Sequence, residues 1–220
     1  MTNARSSWVR RVQAADGGGE FFVKVYEFPR WRDRLRNFAR WTAPWRAPRA
    51  RREAQALTWL RTHGFGAPAA AACYEWRRAG FVCQAALITS AVPGRTAECL
   101  LGGPPRRAPG APAPLPAASR QDLARDILAW VAKLHRSGFR DGNLDLRNLI
   151  ITPAQPPAGR DADAAWTITK IDSPRYRIVP AGTATDSWAR ADWQRLLPQL
   201  RALGLAAAMS PSDRTPNGST

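Results

Sequence analysis

Chemistry in this chain begins at Lys24. It sits in Phe21-Phe22-Val23-Lys24-Val25-Tyr26, a stretch with apolar residues on both faces of the strand it predicts, so Lys24 shares a covered face with Phe22 and Tyr26. A buried ammonium must find a partner or give up its charge. Snorkelling from an edge strand is one reading; reaching toward phosphate oxygens is the other. The second gains weight because the chain otherwise uses arginine: of its 33 basic residues only Lys24, Lys133 and Lys170 are lysines. Glu53 lies on one helical face with Leu57 and Leu60, and a carboxylate on an apolar stripe also wants a partner. That partner is Arg49 in a surface pair, or Lys24, which would satisfy both misplaced charges at once.

Two further groups carry oxygen ligands. The run Phe139-Arg140-Asp141-Gly142-Asn143-Leu144-Asp145-Leu146-Arg147-Asn148 joins an amphipathic helix to a short apolar strand. A second strand, Ile168 to Ile171, ends at Asp172 before Ser173-Pro174. Asn148 and Asp172 suit magnesium, although a lone strand-end Asp is more often a turn former.

Strand lysine, helix glutamate, polar loop ending in Asn and strand-end Asp, in that order, form the kinase series. The pieces FFVKVYEF, RREAQALTWLRTHGFGAP, ALITSAVPG, LHRSGF, NLDLRNLII and KIDSPR resemble the lipopolysaccharide kinase (Kdo/heptose kinase) family over about Phe21 to Leu205. The resemblance implies a reduced two-lobed protein-kinase-like fold of α+β class, with a small β-rich N-lobe and a mainly helical C-lobe. It implies that Lys24 contacts ATP phosphates and Glu53 holds Lys24. It makes Leu87, Ile88 and Thr89 the hinge that meets adenine, and Asn148 and Asp172 the ligands of Mg2+. Such kinases place an Asp five residues before the magnesium-binding Asn, and here that position is Asn143. An amide cannot take a hydroxyl proton as a carboxylate does. Asp141 is the nearby carboxylate that a change of loop geometry would bring to the task. The activity implied is phosphorylation of a sugar hydroxyl on a lipopolysaccharide-like glycolipid. A pseudokinase serving as a nucleotide-binding or scaffold module is the alternative, and a basic nucleic-acid-binding protein a weaker one.

The elements that must position these groups are legible in pattern. Trp8 to Gln13 and Phe21 to Phe28 predict a β-hairpin turned by Asp16-Gly17-Gly18-Gly19. Ala50 to His63 predicts a helix ended by Gly64, and Phe81 to Ser90 a strand. Ser119 with Asp122 predicts a capped start for a helix carrying Leu123, Ile127, Trp130, Val131 and Leu134. Strands follow at Leu149 to Ile151 and Trp166 to Ile171, then a helix from about Ala189 to Leu203. The organisation expected is an N-lobe over 1–100, a flexible Pro/Gly/Ala linker over 101–118, a reduced C-lobe over 119–208 and a disordered tail over 209–220. The usual first strand and glycine-rich phosphate loop do not fit within Met1 to Ser7.

Composition narrows the setting. A net charge of +16 on 220 residues implies a negative partner, whether anionic lipid, nucleic acid or a phosphorylated substrate; a chain-wide bias toward Ala, Arg, Gly and Pro that carries no function is the alternative source of that charge. Arg30 to Arg52 concentrates it, with nine arginines against Asp33 and with Trp31, Phe38, Trp41 and Trp45 interleaved. That mixture suits an anionic membrane surface or a solvated connection; nucleic acid is the less expected partner. Cys73, Cys83 and Cys99 lack disulfide and zinc patterns, which points to a reducing compartment. The N-terminus has no apolar core for a signal peptide. A cytoplasmic protein, peripheral at the inner face of the cell membrane, is the expectation.

Overall fold

The computed structural model describes residues 7–15, 17–103, 113–153, 166–183 and 186–205. They fall into two units, one of Met1–Val92 with Asp172–Arg175 and one of Pro93–Ile171 with Tyr176–Thr220.

The first unit runs β1 (Ser7–Gln13), β2 (Glu20–Glu27), α1 (Trp31–Arg36), a wide π turn (Phe38–Thr42), α2 (Arg49–Thr62), β3 (Ala70–Arg78) and β4 (Phe81–Ser90). Its antiparallel sheet has the order β1-β2-β4-β3. Gly17 and Gly19 take φ of 72° and 127° in the β1–β2 turn, a region closed to most side chains; Asp16 lies outside the described residues. Strand β3 was not legible in advance. Its run of small residues, Ala70-Ala71-Ala72-Cys73, gives no apolar alternation, and on the sheet edge it leaves Tyr74 and Trp76 exposed. Its turn into β4 is the two-residue Ala79-Gly80, both at positive φ, with Arg78 opposite Phe81.

Helix α2 buries Ala50, Glu53, Ala56, Leu57 and Leu60, one face of a 3.6-residue period. It stops where Gly64, at φ 76°, lets the Phe65 N–H reach the Leu60 carbonyl at 2.8 Å, the six-to-one bond of a Schellman end. Beneath it the sheet supplies Tyr26, Ala85 and Leu87, on the face that carries Lys24 and all buried; Val25 and Val82 are buried on the opposite face. Each large apolar side chain so buried contributes about 1.5–3 kcal/mol.

The second unit comprises β5 (Arg95–Thr96), α3 (Ala97–Leu100), α4 (Ala117–Arg136), β6 (Phe139–Arg140), a 3-10 turn (Leu146–Asn148), β7 (Leu149–Pro153), β8 (Trp166–Lys170), β9 (Arg177–Ile178) and α5 (Ser187–Ala202). Its sheet has the order β5-β7-β8, and β6 pairs with β9. Leu123, Ile127 and Val131 of α4 pack with Leu149, Ile168 and Leu196 in one apolar core. Helix α4 starts two residues before Ser119, with Pro116 at its N-cap position, and Asp122 instead pairs with Arg125. With the helix beginning at Ala117, Ser119 lies inside its first turn rather than at the N-cap, so the expected capping pair is not used. Helix α5 is capped by Asp186, whose carboxylate accepts from the Trp188 and Ala189 N–H groups at 2.9 and 2.8 Å. Of the residues read as a linker, Leu101 is fully buried and 104–112 lie outside the described residues, as do the segment 154–165 and the tail. Among the described residues no helix is long and apolar enough to cross a membrane.

Candidate active site

In the first unit, Lys24, Glu53 and Asp172 come together, from a strand, a helix and the end of a strand. Lys24 Nζ lies 3.1 Å from both oxygens of Glu53 and also pairs with the Asp172 carboxylate. Glu53 is buried at 4% exposure, so the pair is no surface contact. Arg49, the other partner considered for Glu53, instead lies with its guanidinium 4.9 Å from the centre of the Tyr26 ring. Tyr26, two residues beyond Lys24 on the same face of β2, donates its hydroxyl to Glu53 Oε2 at 2.7 Å. Its alternation with Lys24 was visible in the sequence, but nothing there assigned it the carboxylate.

The electrostatics follow from burial. Desolvation raises the Glu53 carboxyl above the usual range, Lys24 opposes that, and Asp172 adds to it. Burial also drives the Tyr26 phenol upward, with the adjacent Glu53 charge reinforcing it. Lys24 thus stands between two carboxylates, one dry and one partly open: the Asp172 side chain is 28% exposed. Asp172 has a φ of 61°, the left-handed region that few residues besides glycine enter. Strain of this kind collects at functional positions because the surroundings hold it in place.

Leu87, Ile88 and Thr89 do not form a free hinge. They lie inside β4, where Leu87 faces Lys24 of β2 on one side and Cys73 of β3 on the other. A central strand spends its backbone groups on its two neighbours, so none is available to an adenine edge. Leu87 is 1% exposed and belongs to the core.

In the second unit the loop 141–148 is pinned from beneath. Asp192 of α5, 1% exposed, accepts the N–H of Asp141 at 3.0 Å and of Gly142 at 2.9 Å, with His135 Nε2 3.1 Å away. Asp192 was missed in the sequence, where a lone Asp in a helix carries no signal. Asp141 pairs with Lys170 at 3.2 Å, and neither side chain has any exposed surface. A carboxylate held in that way cannot meet a substrate hydroxyl without breaking a buried ion pair. Asn143 is half-buried, and its carbonyl accepts from Asn148 Nδ2 at 3.2 Å. That bond leaves the Asn148 amide oxygen as the group with cation-ligand chemistry. The Asn148 carbonyl accepts from the N–H of Ile171, the residue before Asp172, at 2.9 Å. Asp145 caps the 3-10 turn and grips Arg147, with Arg147 Nε at 2.7 Å. Burial works to raise the Asp145 carboxyl, but the Arg147 side-chain and backbone bonds outweigh it and hold it below the usual range.

Among the described residues no group of three or more His, Cys, Asp or Glu could hold a metal.

No protein-family model matches the chain. No curated protein matches it either. Among solved structures, the chain is similar to WaaP in complex with acyl carrier protein, with a TM-score of 0.62 and 19% identity over 97% of this chain and 73% of that one. It also aligns with a Rio2 kinase complex with ADP, Mg2+ and phosphoaspartate from Chaetomium thermophilum, with a TM-score of 0.49 and 19% identity over 94% of this chain and 68% of that one. The fold is α+β and protein-kinase-like.

Proposed function

We propose that the chain binds ATP with magnesium and is a phosphotransferase whose acceptor is a sugar hydroxyl of a lipopolysaccharide-like glycolipid. One observation carries the nucleotide part: Lys24 held by buried Glu53 and facing Asp172. In this reading Lys24 binds and orients phosphate oxygens, and Glu53 keeps the ammonium aimed. Asn148 and Asp172 would hold the metal; bound MgATP supplies the phosphoryl group and the charge neutralisation its transfer needs. Asn143 would hydrogen-bond the acceptor hydroxyl. The acceptor class rests on the motif resemblance, with the structural likeness to WaaP as support for the fold it requires. The setting we propose is the inner face of the cell membrane.

A second reading, a pseudokinase, is favoured by a different pair of facts. The expected base position is Asn143, and the nearby Asp141 is locked to Lys170. Phosphoryl transfer depends mostly on positioning and charge, so loss of the base slows the step without forbidding it.

A thermal-shift titration with ATP and magnesium tests the site: the wild type should gain stability and Asp172→Ala should lose the magnesium-dependent part. No gain in either would sink the nucleotide reading. Isotope transfer from γ-labelled ATP to extracted glycolipid then separates enzyme from pseudokinase.

A further inference from the structure

We infer that α1 and the turn after it form a docking surface for an anionic lipid bilayer, independent of the nucleotide site. Trp31 is 54% exposed, Leu35 one helical turn on is 63% exposed, and Trp45 is 73% exposed. Side chains of this size rarely stand open without a partner. They form one patch. Trp31 packs edge-on to Phe81 at 4.9 Å between ring centres, Phe81 lies 5.7 Å from Phe38, and Phe38 meets Trp45 edge-on at 5.3 Å.

The patch is also built rigidly. Arg34, buried beneath α1, donates Nε to the Phe28 carbonyl at 2.9 Å and one terminal nitrogen to Pro29 at 2.8 Å. Arg77 clasps the Pro44, Gly80 and Arg46 carbonyls at 2.9, 3.0 and 3.1 Å, which ties the Trp45 turn to the β3–β4 turn. Little ordering entropy then remains to be lost when the indoles meet a partner.

Charge selects that partner. Arg30, Arg32, Arg36 and Arg46 are exposed around the tryptophans, while Asp33, the one acid in the segment, is half-buried. Nucleic acid would also answer the charge, but it stacks on ring faces and gains nothing from an open leucine. A bilayer interface takes all three components: indoles at headgroup depth, leucine among the acyl chains, guanidinium on anionic lipid.

Flotation of the full chain with vesicles decides this. Vesicles of roughly one-third anionic lipid should bind the protein, neutral vesicles should bind it about tenfold more weakly or worse, and salt should weaken the anionic case. Arg32→Glu with Arg36→Glu should lose roughly thirtyfold in affinity. Trp31→Ala with Trp45→Ala should lose about tenfold. Leu35→Asp, outside the ring cluster, should weaken binding while leaving the melting curve intact; it decides the matter if the tryptophan pair does not fold. Binding that ignores headgroup charge, or survives these substitutions at wild-type strength, overturns the inference. So does an oligonucleotide that displaces vesicles and depends on the same residues, since the surface would then belong to nucleic acid.

Discussion

Replacing Lys24 with methionine keeps the stem and removes the ammonium from a cluster that holds two carboxylates. Glu53 is 4% exposed, and both of its oxygens lie 3.1 Å from that ammonium. Tyr26 still donates to Glu53, but one neutral hydroxyl does not replace a cation. Removing one partner of a buried pair costs about 3–5 kcal/mol. The low end applies because Asp172 keeps access to water, so the cost at neutral pH is about 3 kcal/mol. In a chain of this size that lowers Tm by roughly 6–12 °C. The pH dependence is the sharper test. Burial already raises the Glu53 carboxyl against the opposition of Lys24, and the variant removes the opposition. A carboxyl raised in the folded state lends stability that is fully present below its unfolded value, about 4.3, and lost as pH rises through the folded value. The deficit of Lys24→Met is therefore largest at neutral pH and closes on acidification toward that value. Adding Glu53→Gln removes the stranded charge and should recover about 1–2 kcal/mol. Urea unfolding followed by circular dichroism, across pH, reads all three quantities. A variant within about 0.5 kcal/mol of wild type at neutral pH, or a deficit that does not shrink in acid, would show that the cluster is not wired as described.

Asp192→Asn should cost about 2–4 kcal/mol in the same assay, because an amide offers one acceptor oxygen where two loop N–H groups now bond; a neutral outcome would mean the loop is held elsewhere. Asp145→Asn tests the opposite sign. Its carboxyl is held low by Arg147 in the fold, so its stabilisation is present above the ordinary aspartate value and disappears as pH falls through the depressed one. Wild type and Asp145→Asn should differ by about 1–2 kcal/mol from neutral pH down to about 4, and converge below. Gly138→Ala should prevent or cripple folding by thermal melt and soluble yield, since φ is 92° and an added Cβ would run into the Val179 carbonyl.

Much of the first unit was written locally. A glycine cluster between two apolar runs dictates the β1–β2 hairpin, and an apolar stripe ended by Gly64 dictates α2. Lys24 and Glu53 were legible as misplaced charges on covered faces, a conflict that burial leaves in the one-dimensional pattern. Asn148 and Asp172 were read by residue type alone, from the polar loop and the strand end, and their metal-binding role stays a proposal.

Tertiary structure decided what sequence spacing cannot hold. Strand β3 exists because the open edge of β4 pairs with it, and ladder bonds need no apolar alternation. That pairing also removes Leu87 to Thr89 from the hinge. Asp141 and Asp192 show the same limit most clearly. Nothing near Asp141 in the chain announces Lys170, and nothing near Asp192 announces the loop 50 residues earlier that it holds. The type of a charged residue is local information; its partner, and so whether it reacts or merely holds the fold, is set by what long-range packing brings to it.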